Sequence, residues 1–127
     1  MAELDVKIIA QTGMSFERAR IEAASLNISR ANMVSTEASQ VEPLFIATLS
    51  SRELIPENVE LAVYYKHQAI YQPAHPLADK QGIIYKPDID LAHEMVTLSS
   101  AKRAYEANIK VYNSYKEMSA KALEIGK

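Results

Sequence analysis

The stretch DLAHEMVTLSSAKRAYEANIKVYNSYKEMSAKALEIG runs from Asp90 to Gly126 with no proline and no internal glycine. Proline breaks a helix interior, and glycine weakens one by about 1 kcal/mol relative to alanine. Their absence over so long a run predicts one helix, with Asp88 or Asp90 as N-cap and Gly126 at its C-terminal stop. At about 1.5 Å per residue it would measure roughly 50 Å. A compact globule of 127 residues has a radius of gyration of about 14 Å. The helix must overhang its own domain or run along a partner.

Its apolar positions step alternately by four and three: Leu91, Met95, Leu98, Lys102, Tyr105, Ile109, Tyr112, Lys116, Ser119 and Leu123. That spacing is a heptad seam rather than a plain surface stripe. Ala101, Ala104, Ala107 and Ala122 flank it and would let a neighbouring helix approach closely. Tyr105, Tyr112 and Tyr115 allow two readings, a helix pair closed within the chain or a seam between subunits. Lys102 and Lys116 favour the second, because their long stems can snorkel or meet acids of a neighbour. A single partner helix covers only one side, so the terminal helices are expected to reach full order when other helices surround them.

Residues from about 3 to 33 also contain no proline and predict a second long helix, with Gly13 as its weak point. Its apolar stripe reads Met14, Ile21, Ala24, Ile28 and Ala31, led in by Ile8 and Ile9. The polar stretch STEASQ, Ser35 to Gln40, reads as its exit loop. Between the helices lie LFIATLSS (44–51), VELAVYYK (59–66), AIYQ (69–72) and GIIY (82–85), four strand candidates with a turn at Pro56-Glu57-Asn58. Pro43, Pro56, Pro73, Pro76 and Pro87 all fall in this middle part. The expected fold is mainly α with a small β-rich insert. Helices from 1–33 and 88–127 pair as a coiled coil, and residues 34–87 form a β-hairpin region between them.

A net charge of −2 leaves no basic footprint for nucleic acid, and no apolar run approaches the roughly 20 residues that span a bilayer. The start, MAELDVKIIAQTGM, lacks the apolar core of a secretory signal. Without cysteine there are no disulfides and no thiolate metal sites. His75, Asp79 and His93 are the residues that could suggest a metal, but H-x-x-x-D in a proline-bracketed loop fits no standard ligand frame, and His75 is expected to fasten the loop instead. No serine sits in a nucleophile elbow, and Gly13, Gly82 and Gly126 lie too far apart for a phosphate loop. The expectation is a non-enzyme with no metal and no cofactor.

The segment YQPAHPLADKQGIIYKPDIDLAHEMVTLSSAKRAYEANIKVYNSYKEMSAKALEIG is similar to the C-terminal half of the flagellar basal-body rod proteins, nearest the proximal-rod branch of that family. One family motif falls on Tyr71, Pro73, His75, Pro76, Ala78, Asp79, Gly82, Tyr85 and Pro87. A second falls on Glu94, Met95, Val96, Ala101, Arg103, Tyr105, Ala107 and Asn108. More loosely, SLNISRAN resembles the family's N-terminal signature, keeping Asn27, Ala31 and Asn32 while Arg30 stands where asparagine is usual.

The resemblance implies a structural subunit of the rod that polymerises with itself and other rod subunits into a helical tube. The tube would transmit motor torque and form part of the export channel, across the periplasmic span of the basal body. It also implies passage through the flagellum's own export apparatus without a cleaved signal peptide, with no membrane insertion. On this reading Met14, Ile21, Asn27, Ile28, Asn32, Leu91, Met95, Leu98, Tyr105, Asn108, Ile109 and Tyr112 form subunit contacts. Tyr71, Pro73, His75, Pro76, Asp79, Gly82 and Tyr85 form a structural loop. The alternative is a monomeric helical-hairpin protein-binding module whose seam closes within the chain.

Overall fold

The computed structural model describes residues 5–126. Two helices dominate, α1 from Val6 to Arg30 and α2 from Leu91 to Ile125. Between them lie β1 (Leu44–Leu49), β2 (Val59–Tyr64), β3 (His67–Tyr71) and β4 (Ile83–Pro87). The chain is thus mainly helical with a small β insert. No helix among the described residues is long and apolar enough to cross a membrane.

Asp5 starts α1 by accepting a 2.9 Å bond from the Lys7 amide, and Asp90 starts α2 by accepting one of 3.1 Å from His93. Both carboxylates satisfy amides that have no partner inside the first turn. Of the two candidate caps for α2, Asp90 is the one used. The first helix stops at Arg30 rather than near residue 33, where the Ala31 amide turns back to the Ile28 carbonyl. Residues 3 and 4 of the expected helix, and Lys127, lie outside the described residues.

The four strands make two separate antiparallel pairs, β1 with β2 and β3 with β4. In the first, Leu44 faces Tyr64 and Leu49 faces Val59; in the second, His67 faces Pro87 and Tyr71 faces Ile83. The exit loop after α1 contains a single 3-10 turn over Ala38–Gln40. Ser35 lies beside β4, exchanging amide and carbonyl bonds of 2.8 and 2.9 Å with Tyr85. The β1–β2 pair lies on α1, whereas β3–β4 stands off both helices.

The two helices run antiparallel: Gly13 faces Asn108, Arg18 reaches Tyr105, and Ala23 and Ala24 share a groove with Glu94 and Thr97. Their interface is made of small side chains. Ala10, Ala23 and Ala24 are buried on α1 and Ala101 on α2 is 0% exposed, while Ala19 is buried on the side of α1 that faces Pro56 and Leu61. Among the described residues, only Leu44, Ile84 and Asn27 are large and fully buried.

This corrects the expected packing. The inward face of α2 is centred on Ala101, with Glu94, Thr97, Ala104, Asn108, Tyr115 and Ser119 around it and the seam residues Leu98, Tyr105, Ile109 and Tyr112 half-buried at its edge. At about 100° per residue, that face lies roughly a quarter-turn from the heptad seam drawn through Leu91 and Ile109. The α1 stripe shifts likewise: Met14, Ile21 and Ile28 are half-buried, and the alanines take the centre.

Gly13 sets the closest approach. A Cβ built there would lie 2.7 Å from Asn108 Oδ1 and 2.9 Å from Asn108 Cγ. Asn108 is held in place by a 3.0 Å bond from its Nδ2 to the Ala104 carbonyl. Helix propensity alone would make Gly13→Ala stabilising, but the clash should dominate. The substitution is expected to cost about 1–3 kcal/mol in denaturant unfolding, and Gly13→Ala with Asn108→Ala should recover most of that loss.

Candidate assembly surface

The distribution of side-chain size is inverted relative to an ordinary small domain. Alanines fill the interior, while Leu91, Met95, Val96, Val111, Met118, Leu123 and Ile125 of α2 all face solvent. Met95 is 53% exposed, Val96 66% and Leu123 72%. From Lys116 to Gly126 every residue of α2 is exposed except half-buried Ser119. Val6, Ile8 and Ile9 of α1 are exposed as well. A helix carrying apolar side chains around most of its circumference is one that ends up enclosed.

The area agrees. A compact monomer of 14.2 kDa exposes about 6,800 Å². This chain exposes 8939 Å². The difference is roughly 2,100 Å², and one partner in a standard interface covers about 800 Å². There is surface for more than one neighbour.

The proposed contact residues divide into three groups. Leu91 and Met95 of α2, and Asn32 after α1, are exposed. Leu98, Ile109, Tyr112, Met14, Ile21 and Ile28 are half-buried, each with one side against the chain and one outward. Asn27, Tyr105 and Asn108 are engaged within the chain. Arg18 Nη2 donates to the Tyr105 hydroxyl at 3.3 Å and lies 5.9 Å from its ring centre. The Lys116 ammonium sits 5.4 Å from the Tyr112 ring centre, so this seam lysine folds back on its own helix.

Asn27 has the most definite role. It is 1% exposed, and its amide bonds the Phe45 carbonyl at 2.9 Å while its oxygen accepts from the Phe45 amide at 2.8 Å. One side chain thus substitutes for a missing strand beside β1. Three residues on, Arg30 Nη1 donates to the Pro43 carbonyl, and the guanidinium lies 4.7 Å from the Phe45 ring centre. Thr12 ties the other end, with its hydroxyl 2.8 Å from the Ile8 carbonyl and 3.0 Å from that of Leu54.

The segment from Tyr71 to Tyr85 is bound by its own short-range bonds. Asp79 Oδ1 accepts from the Gln81 and Ile83 amides, both at 2.9 Å, and the Asp79 amide donates to the Ile83 carbonyl at 3.0 Å. His75 Nδ1 accepts from the Leu77 amide at 3.0 Å. Gly82 has φ 79°, and a Cβ there would lie 3.0 Å from both Pro73 and Tyr71. Only glycine fits so close an approach at positive φ. Tyr71 is exposed, and Tyr85 meets His67 edge-on at 6.0 Å. His93 stands apart, in the first turn of α2.

A groove of about 410 Å³ runs between α1, β1 and the start of α2, lined by Phe16, Ala23, Phe45, Tyr64 and Glu94 among others. Burial, then the charges of Glu94 and Asp88, push the Tyr64 phenol above its ordinary pKa. Sequence reasoning missed Gly13, Thr12 and Arg30 as structural anchors. The one available signal was Arg30 itself, a cation where the resemblance leads one to expect asparagine.

Comparison with known proteins places these features in context. A family model described as the C-terminal part of the flagellar basal body rod FlgEFG proteins matches residues 80–125. Over its whole length the chain is similar to the flagellar basal-body rod protein FlgC of Salmonella typhimurium, 31% identical over 99% of both chains. The protein of that name from Escherichia coli O6:H1 is 30% identical over 99% of both. That from Borreliella burgdorferi is 33% identical, covering 92% of this chain and 93% of the relative.

The Asn27 clamp has a measurable consequence. Asn27→Ala leaves the Phe45 amide and carbonyl without partners and should cost about 1–3 kcal/mol in unfolding. The same variant should raise hydrogen exchange at the Phe45 amide while leaving exchange in the β3–β4 pair unchanged.

Proposed function

This chain belongs to the FlgC family of flagellar basal-body rod proteins, and we propose that it polymerises with itself and other rod subunits into a helical tube. It is a structural subunit of the rod, and its place is the flagellar basal body. The observation that carries the finer reading is the outward display of Leu91, Met95, Val96, Val111, Met118 and Leu123 over an alanine interior. Apolar area of that extent is favourable only when removed from water, at about 25 cal/mol per Å².

In the tube, α1 and α2 of one subunit pack in coiled-coil fashion against helices of its neighbours. Leu91, Met95, Leu98, Ile109 and Tyr112 form the contact seam, with Met14, Ile21, Ile28 and Asn32 contributing from α1. Contacts that repeat head to tail give an open array rather than a closed ring of two. A wall of helices joined side by side resists twisting, which is what passing motor torque across the periplasm requires. The enclosed bore would serve as part of the export channel. The subunit itself would reach the growing end through the flagellar export apparatus, with no cleaved signal.

The test separates assembly from folding. The Met95 side chain is exposed, so Met95→Asp should change the unfolding free energy of the isolated chain by less than about 0.5 kcal/mol. In cells it should remove the chain from isolated basal bodies and abolish swimming. A Met95→Asp strain that swims normally and carries the subunit in its basal bodies would overturn the seam, and favour a helical hairpin closed on itself.

A further inference from the structure

The hydrogen-bond pattern of the four strands leaves the outer edge of β4 covered, that of β1 held at Phe45 by α1, and those of β2 and β3 open. In the β3–β4 pair the bonds from Gln72 to Gly82 and from Asp88 to Lys66, both 2.9 Å, continue the ladder at either end. They show that even-numbered residues of β3 bond to β4, so the amides and carbonyls of His67, Ala69 and Tyr71 point outward. The same argument holds for β2. The Ser50 amide bonds the Asn58 carbonyl at 2.8 Å, which continues the register of Thr48 with Glu60. Leu61 and Val63 therefore turn their backbone groups away from β1.

The opposite edges are occupied, that of β4 along its length and that of β1 at Phe45, where α1 packs against the strand. On β4, the Ile83 amide and carbonyl are taken by Asp79, Tyr85 exchanges both its bonds with Ser35, and Pro87 has no amide to offer. On β1, Asn27 takes both groups of Phe45. Among the described residues no hydrogen bond meets the outward backbone groups of Leu61, Val63, His67, Ala69 or Tyr71. Val63 and Ala69 are exposed, and β3 carries neither proline, lysine nor bulge to blunt its edge. The β3–β4 pair makes few contacts with either helix, and its support comes from the Ser35 segment on the β4 side.

We propose that the open edge of β2 in one copy of this chain pairs with the open edge of β3 in a second copy. The junction forms a four-stranded intersubunit sheet, β1-β2 of one copy continued by β3-β4 of the next. Each open edge satisfies the other, and the edges left outside are those of β4 and of β1, the latter beside α1. The two joined surfaces are different, so the contact is heterologous and repeats from copy to copy without closing. The inference rests on the rod reading above and adds the β piece as a second point of attachment beside the helices.

The chain has no cysteine, which allows a clean test. Cells are given a chain carrying both Val63→Cys and Ala69→Cys, or either change alone, and their isolated basal bodies are treated with a mild thiol oxidant. The double variant should give a ladder of disulfide-linked multimers on a non-reducing gel, and each single variant only monomer. Ala69→Pro removes an outward amide without touching the β3–β4 ladder, so it should lose incorporation into the rod while the purified chain keeps its helix content. Monomer alone from the double variant, with the subunit present in the basal bodies, would overturn the sheet and leave the rod reading standing. Dimers from Ala69→Cys alone would overturn it in favour of like-with-like edge pairing. Absence of the unmodified chain from basal bodies would overturn the rod reading, and the sheet with it.

Discussion

Everything in this molecule follows from how closely α1 and α2 approach. Gly13 and the alanines at 10, 23, 24 and 101 leave little bulk between the two backbones. Small residues at such a seam bring the helices into contact along their length, but they bury little apolar area each. The large side chains are pushed to the flanks and the far side. A close pair of helices inside and a row of methionine, leucine and valine outside are two aspects of one arrangement.

The β part is attached by polar groups more than by a core. Asn27 and Arg30 hold the start of β1, and Thr12 holds the loop before β2. Asparagine and arginine suit this work because each offers its donors at fixed angles to backbone acceptors. Such bonds fix direction. The insert therefore leaves the helix pair at a defined angle.

Much of the architecture was legible beforehand. The absence of proline from both ends and its concentration between them marks the helices, and Asp90 marks the start of α2. The strands lie within two residues of where β-branched and aromatic runs place them. The packed face of α2 was not legible. Periodicity finds the largest side chains and assumes they are inside, whereas here Ala101 and Thr97 face the partner helix and Leu91 faces out. Alanine carries little weight in any hydrophobic pattern, and Gly13 read as a defect when it is the contact point. Asn27 and Arg30 were hidden for another reason, since their partners are main-chain groups of distant residues.

The loop from Gln72 to Ile83 closes entirely on bonds between residues at most ten positions apart. Contacts of short sequence separation form within microseconds, well before remote parts of a chain meet. A polypeptide delivered as an extended thread would regain this knot the moment its own few links emerged. The piece is then formed before α1 and α2, whose partners lie far apart in the chain, have met.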